Sequence, residues 1–169
     1  MTADVSADPG AAVIAHLDAI GEPYEIVPCD PELADTAAFC AAYGYAPDAS
    51  ANTIVVVGKG DPPSYAACIV LATTRLDVNK AVRRRLGARK ASFASADETR
   101  ELTGMLIGGV TAFALPADLP LWVDARVMDR DQIILGGGSR SAKVLVAPAV
   151  LLRIPGAEVV DDLAVPAPT

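Results

Sequence analysis

Apolar side chains recur at helical spacing in "PGAAVIAHLDAIG", where Val13, Leu17 and Ile20 form one stripe and Gly21 supplies the stop. That pattern predicts an amphipathic helix, since glycine readily takes the left-handed conformation in which many helices end. "YEIVPC" follows as a short strand, and a second helix is predicted near Thr36 to Tyr43, closed by Gly44. "NTIVVVG" and "YAACIVLAT" are β-branched and apolar, and the turn residues of "KGDPPS" between them predict a hairpin. A third helix is predicted after Asp77, a good N-cap, with Val78, Ala81, Val82 and Leu86 on its inner side and Gly87 at its end. In "SADE", Ser95 and Glu98 have the spacing of a capping box, and Gly104 ends the helix it opens. "LPLWVDARV", "QIILGGG" and "AKVLVAP" then read as strands. The sum is an α+β domain with a mixed, curved sheet flanked by helices.

With 169 residues, 52% of them hydrophobic, the chain has ample material for one core. One domain from residue 11 to residue 161 is expected, with frayed tails at 1–10 and 162–169. The longest apolar run, "AACIVLA" at Ala66 to Ala72, is far short of the roughly 20 residues that span a bilayer. The N-terminal "MTADVSADPG" has no cationic segment ahead of an apolar one, so neither a membrane span nor export is expected. Cys29, Cys40 and Cys68 are odd in number and widely spaced, which fits a reducing compartment and makes the cytoplasm the expected location. His16 is the single histidine. Multi-histidine metal sites are thereby excluded, and a Ser-His-Asp or Cys-His apparatus would rest on one imidazole at a helix flank. No strand runs into a G-x-G-x-x-G or Walker loop, so no cofactor is expected.

Charge changes the picture. The formal net charge is −7, yet seven of the 14 basic side chains, Arg75, Lys80, Arg83, Arg84, Arg85, Arg89 and Lys90, lie in a stretch whose only acid is Asp77. A cationic patch on an acidic protein attracts a polyanion locally while the remaining surface repels it, which gives docking a direction. A solvated helix face that complements the helix dipole explains the same residues without a partner. Two glycine-rich stretches add candidates. "TGMLIGGVTAFALP" places Gly108 and Gly109 where backbone N–H groups can approach a ligand, and "LGGGSRSAK" places Gly136, Gly137 and Gly138 beside Ser139. Tight packing or a hairpin turn would also account for these glycines. Asp124, Asp129 and Asp131 lie within eight residues, and "ARVMDRDQ" reads most simply as a polar turn.

In order, "SANTIVVVG", "LDVNKAVRRRLGARKASFASADE", "TGMLIGGVT", "LPLWVDARV" and "ILGGGSRSAKVLVAP" resemble successive blocks of the YbaK/ProX family of aminoacyl-tRNA deacylases. That family includes the editing domain inserted in some bacterial prolyl-tRNA synthetases. The match covers about residues 11 to 148. It implies an α+β fold with a mixed, barrel-like sheet flanked by helices, and a cleft that takes the 3′ end of a mischarged tRNA and hydrolyses the ester there. Carried over by motif, the residues at the reacting ester would be Asn52, Gly108, Gly109, Val110, Thr111, Ala112 and Asp124. Thr53, Lys80, Gly137, Gly138 and Ser139 would surround the substrate, and Arg75, Arg83, Arg84, Arg85, Arg89 and Lys90 would face the tRNA. The implied partners are aminoacyl-tRNA and an aminoacyl-tRNA synthetase. The chemistry fits the missing histidine, because an aminoacyl ester is already activated and yields to positioning, oxyanion donors and an ordered water.

Two stretches differ from the family pattern. The lysine that opens its K-T strand is Asn52 here, ahead of Thr53, which keeps hydrogen-bonding capacity and loses the charge. The loop G-x-S/T-P-x-G reads Gly109, Val110, Thr111, Ala112, Phe113, Ala114, without the proline and the second glycine. Two readings follow: a trans-editing hydrolase with an altered cleft, and a catalytically weakened module that binds tRNA or another ligand through that cleft.

Overall fold

The computed structural model of the protein describes residues 8–167. Helix α1, Pro9–Ile20, starts where the Asp8 carboxylate accepts the Gly10 N–H at 3.0 Å and ends at Gly21, whose φ is 80°. Strand β1 (Tyr24–Pro28) leads to helix α2 (Thr36–Tyr43), closed by Gly44. Strands β2 (Ala51–Gly58) and β3 (Ser64–Leu71) form the expected antiparallel hairpin, with Ala51 opposite Leu71 and Gly58 opposite Ser64. After β4 (Thr74–Leu76) the basic helix opens as a π-helical turn at Val78–Val82 and tightens into α3, Arg83–Leu86. Asp77 caps it, accepting the Lys80 N–H at 3.2 Å. Strand β5 (Ala91–Phe93) precedes helix α4 (Ala96–Thr103), whose capping box is formed in both directions between Ser95 and Glu98 at 3.0 Å. Strands β6 (Leu121–Asp124), β7 (Ile133–Gly136), β8 (Ala142–Val146), β9 (Ala157–Val160) and β10 (Ala164–Pro166) complete the order.

The strands fall into three sheets. The largest has the order β5-β2-β3-β6-β9 and is mixed, parallel where β6 joins β3 and β9 and antiparallel elsewhere. The antiparallel set β1-β8-β7 and the ribbon β10-β4 stand beside it, so the described strands do not close into one barrel. Just ahead of β2, Ser50 forms a single parallel bridge to Ile134 of β7.

β3 explains the longest apolar run. Ala67, Ile69 and Leu71 face a core shared with Val13 and Leu17 of α1, Phe113, and Leu135 and Val144 of the antiparallel sheet. Ala66, Cys68 and Val70 face a second core with Trp122 and with Val82 of the basic helix. A strand covered on both faces needs apolar residues at every position, so period-two alternation disappears. Each large side chain so buried contributes about 1.5–3 kcal/mol.

Two expectations are corrected. The strand read through "LPLWVDARV" stops at Asp124, because the Asp124 carboxylate accepts the Arg126 N–H at 2.9 Å and turns the chain into a 3-10 helix at Ala125–Asp129. The expected C-terminal tail is structural up to Pro166. Leu163 and Ala164 are completely buried, and β10 pairs with β4 across Ala164–Leu76. Asp124 and Arg126 clasp that strand at one residue, the carboxylate accepting the Ala164 N–H at 2.7 Å and the guanidinium donating to the Ala164 carbonyl at 2.8 Å. At the other end Pro9 and Gly10 already belong to α1, while residues 1–7 lie outside the described part. No described helix is long and apolar enough to cross a membrane.

Candidate active site

The edge of β2 creates the opening. β5 pairs only with residues 56–58 of β2, and β7 reaches it only at Ser50, so the stretch between has no strand neighbour on that side. The gap is a cleft of about 380 Å³. Ser50 and β2 from Ala51 to Val55 form one wall, and the end of β7 with the start of α2 forms the other. Ile107, Gly108 and Val110 close one side, and the exposed Phe93 ring stands at the rim.

The loop that supplies Gly108 is held peptide by peptide. Arg140 donates to the Ile107 carbonyl at 2.7 Å and to Asp35 at 3.2 Å. Lys143 donates to the Gly108 carbonyl at 2.9 Å, and the Gly109 N–H donates to the Leu106 carbonyl at 2.8 Å. Since a trans peptide points its N–H opposite its C=O, fixing these carbonyls fixes the direction of the amides of Gly108 and Gly109. Gly108 itself has φ 93°, the left-handed region that favours glycine.

Close backbone packing explains the remaining glycines. The Gly138 N–H donates to the Gly109 carbonyl at 2.7 Å, and a Cβ on Gly109 would lie 2.7 Å from the Ser139 carbonyl. A Cβ on Gly136 would collide with the Val110 carbonyl. The two glycine-rich segments therefore form one backbone-to-backbone seam at the floor of the cleft.

Lys143 is the cleft residue that sequence reading missed. It reaches in from β8, is 7% exposed, and donates to the Ala34 carbonyl at 2.6 Å as well as to Gly108. Its ammonium stands 5.4 Å from the centroid of the Phe39 ring. Burial pulls its pKa below the ordinary lysine value and the nearby Arg140 guanidinium pushes the same way, against weaker opposing fields from Cys29, Asp35 and Cys40. The available signal was a lone cation in the apolar strand "AKVLVAP".

The model of the aminoacyl-tRNA editing domain matches residues 30–154, most of the chain. This protein belongs to the aminoacyl-tRNA editing domain family. Among its relatives is the multifunctional Ser/Thr-tRNA deacylase ProXp-y of Escherichia coli K12, 29% identical over 112 residues, 66% of this chain and 67% of that protein. A crystal structure of the hypothetical protein APE2540 superposes with a TM-score of 0.79 at 27% identity, covering 89% of this chain and 97% of that one. Another, of a candidate trans-editing enzyme for prolyl tRNA synthetase, gives 0.78 at 25% identity over 96% and 99% of the two chains.

Within this editing domain, Asn52, Thr53, Gly108 and Val110 line the cleft. Asn52 accepts the Thr36 hydroxyl at 2.6 Å through its carboxamide oxygen, and the Thr53 hydroxyl has no protein partner among the described residues. Thr111 and Ala112 do not reach the cleft, since both are completely buried behind it. Gly109, Gly137, Gly138 and Ser139 support it from behind, and the Ser139 hydroxyl accepts the Ser141 N–H at 3.2 Å. Asp124 is placed away from it. Its buried carboxylate accepts the amides of Arg126 and Ala164 and so clasps β10. Lys80 also lies outside, in a neighbouring groove with Arg75 that meets the cleft at Phe93. Arg84, Arg85, Arg89 and Lys90 are exposed, and of these Arg85 is engaged by Glu158 and stacks 5.0 Å from the Trp122 ring centroid.

Proposed function

We propose that the cleft between β2 and β7 is where this protein hydrolyses the ester of a mischarged aminoacyl-tRNA, acting in trans on the free charged tRNA. The observation that carries this reading is a cleft walled by main-chain edges and a positioned glycine loop, in a chain of the editing-domain family. The amides of Gly108 and Val110, which have no backbone acceptor among the described residues, are the donors on offer to the ester oxygen. Preorganised N–H groups aimed at developing charge commonly supply the greatest part of the rate enhancement in acyl transfer. Ile54, Ile107, Ile134 and Leu135 give the cleft an apolar side that excludes bulk water from around the ester.

The tRNA would arrive over the groove that holds Arg75 and Lys80, with Arg83, Arg84, Arg89 and Lys90 along the acceptor stem. Phe93, 55% exposed where that groove meets the cleft, offers its ring to the unpaired terminal base. Substrate and location then agree, since charged tRNA is used in the cytoplasm. The relatives named for Ser/Thr-tRNA and for prolyl tRNA synthetase make seryl-tRNA, threonyl-tRNA and proline tRNA mischarged with another amino acid the first substrates to try, and a synthetase a candidate partner. Incubation with a panel of aminoacyl-tRNAs tests the proposal. Catalytic release of free amino acid from at least one member is expected. Tight tRNA binding with no release from any member would make the protein a binding module instead.

A further inference from the structure

The ammonium of Lys143 has three N–H groups, and the protein uses two of them, on the carbonyls of Ala34 and Gly108. Its neighbours are dipoles and the Phe39 ring, and no described carboxylate lies within 4.0 Å of it. The nearby carboxylate of Asp35 is paired with Arg140 at 3.2 Å. Carbonyls and a ring solvate a buried cation without neutralising it, so the cleft keeps a positive field. Such a field costs stability in the empty protein and favours any bound group on which negative charge grows.

We propose that Lys143 donates its third N–H to the carbonyl oxygen of the bound aminoacyl ester and holds the oxyanion formed during hydrolysis. This rests on the deacylase reading of the cleft and adds a catalytic residue to it. Water adds through oxygen to the carbonyl carbon, and the carbonyl π pair moves onto the oxygen facing Lys143. Collapse of that intermediate breaks the bond from carbon to the ribose oxygen, which leaves with the proton the water gave up. Lys143 stays protonated throughout, supplying charge and no proton. On the opposite wall Asn52 is uncharged, and its carboxamide oxygen is occupied by Thr36. The charge that the sequence lacks on β2 thus enters the same cleft from β8.

Lys143→Gln isolates the charge, because a carboxamide NH2 can still donate to both backbone carbonyls. Steady-state deacylation of whichever panel substrate the wild type hydrolyses, with circular dichroism as a check on folding, gives the readout. The expected result is a kcat lower by about 100-fold or more with KM changed only a few-fold, the size of losing one oxyanion donor. The transposed variant Asn52→Lys with Lys143→Gln is expected to regain at least about tenfold of that loss, which a purely structural lysine would not allow. A folded Lys143→Gln with wild-type kcat overturns the proposal, and so does a folded transposed variant with no regain. If Lys143→Gln does not fold, Asn52→Lys with Lys143→Met decides on the same criterion, an unfolded double variant counting as a structural lysine and so against the proposal. A wild type that releases nothing from any aminoacyl-tRNA fails the deacylase reading itself and takes this inference with it, whereas turnover that survives loss of the charge fails Lys143 alone.

Discussion

The Nδ1 of His16 accepts the backbone N–H of Ala114 at 2.7 Å, which makes the single imidazole a brace for the loop behind the cleft. An accepting Nδ1 carries no proton, and partial burial lowers the pKa of His16 from its ordinary value. The unfolded chain, with an imidazole near pH 6.5, then binds the proton more readily than the folded one. Stability from this contact is complete above about pH 6.5 and is lost as the pH falls from there through the lowered folded value. Thermal unfolding between pH 5 and pH 8 is expected to show that slope in the wild type and a flatter one in His16→Asn, whose carboxamide oxygen accepts without titrating. Equal slopes would remove His16 from the account.

Ala114 carries strain that the sequence hinted at. It has φ 61°, in the left-handed region, at the position where the resembled loop has its second glycine. Alanine thus occupies a backbone conformation that suits glycine. Ala114→Gly is expected to raise stability by about 0.5–1 kcal/mol, the relieved strain less the entropy of a freer unfolded chain. Urea denaturation checks this, with an unchanged or lower midpoint as the opposing result.

Asp124 separates fold from catalysis. Asp124→Ala strips acceptors from the Ala164 and Arg126 amides and is expected to cost about 3 kcal/mol or more in unfolding free energy. Folded protein at low temperature is expected to keep kcat within about threefold, since the carboxylate lies outside the cleft. A fall of 100-fold with stability intact would return Asp124 to the reacting ester.

Local signals were legible in the chain, and long-range ones were not. Gly21, Gly44, Gly87 and Gly104 all end helices in left-handed backbone, and Ser95 with Glu98 forms the predicted box, because each depends on residues within one turn. The family was also readable, from several short blocks kept in order. Strands β9 and β10 escaped, since "AEVV" and "AVP" gain their structure from pairing with β6 and β4 far away in sequence. The same limit applied to the site. Asn52 and Gly108 were found through motifs, whereas Lys143 enters the cleft only because the fold brings β8 within reach of the Ala34 carbonyl and the glycine loop.

The cations of the basic stretch are expected to divide in the same way. Arg83→Glu with Arg84→Glu should weaken tRNA binding and reduce the dependence of log affinity on log salt by roughly one for each phosphate no longer neutralised. Arg85→Ala should leave that dependence unchanged and lower stability instead, since its side chain is committed to Glu158 and Trp122. Filter binding across salt concentrations distinguishes the two, and an unaltered salt slope in the double variant would leave the basic helix as a solvated face.

The most direct measurement is a crystal structure with a non-hydrolysable analogue, the amino acid joined to a 3′-amino-3′-deoxyadenosine through an amide. The analogue is expected between β2 and β7, with its carbonyl oxygen within about 3.2 Å of the Lys143 ammonium and its adenine against Phe93. An analogue seated elsewhere, or one in the cleft with its carbonyl turned away from both Lys143 and Gly108, would contradict the assignment of this cleft as the hydrolytic site.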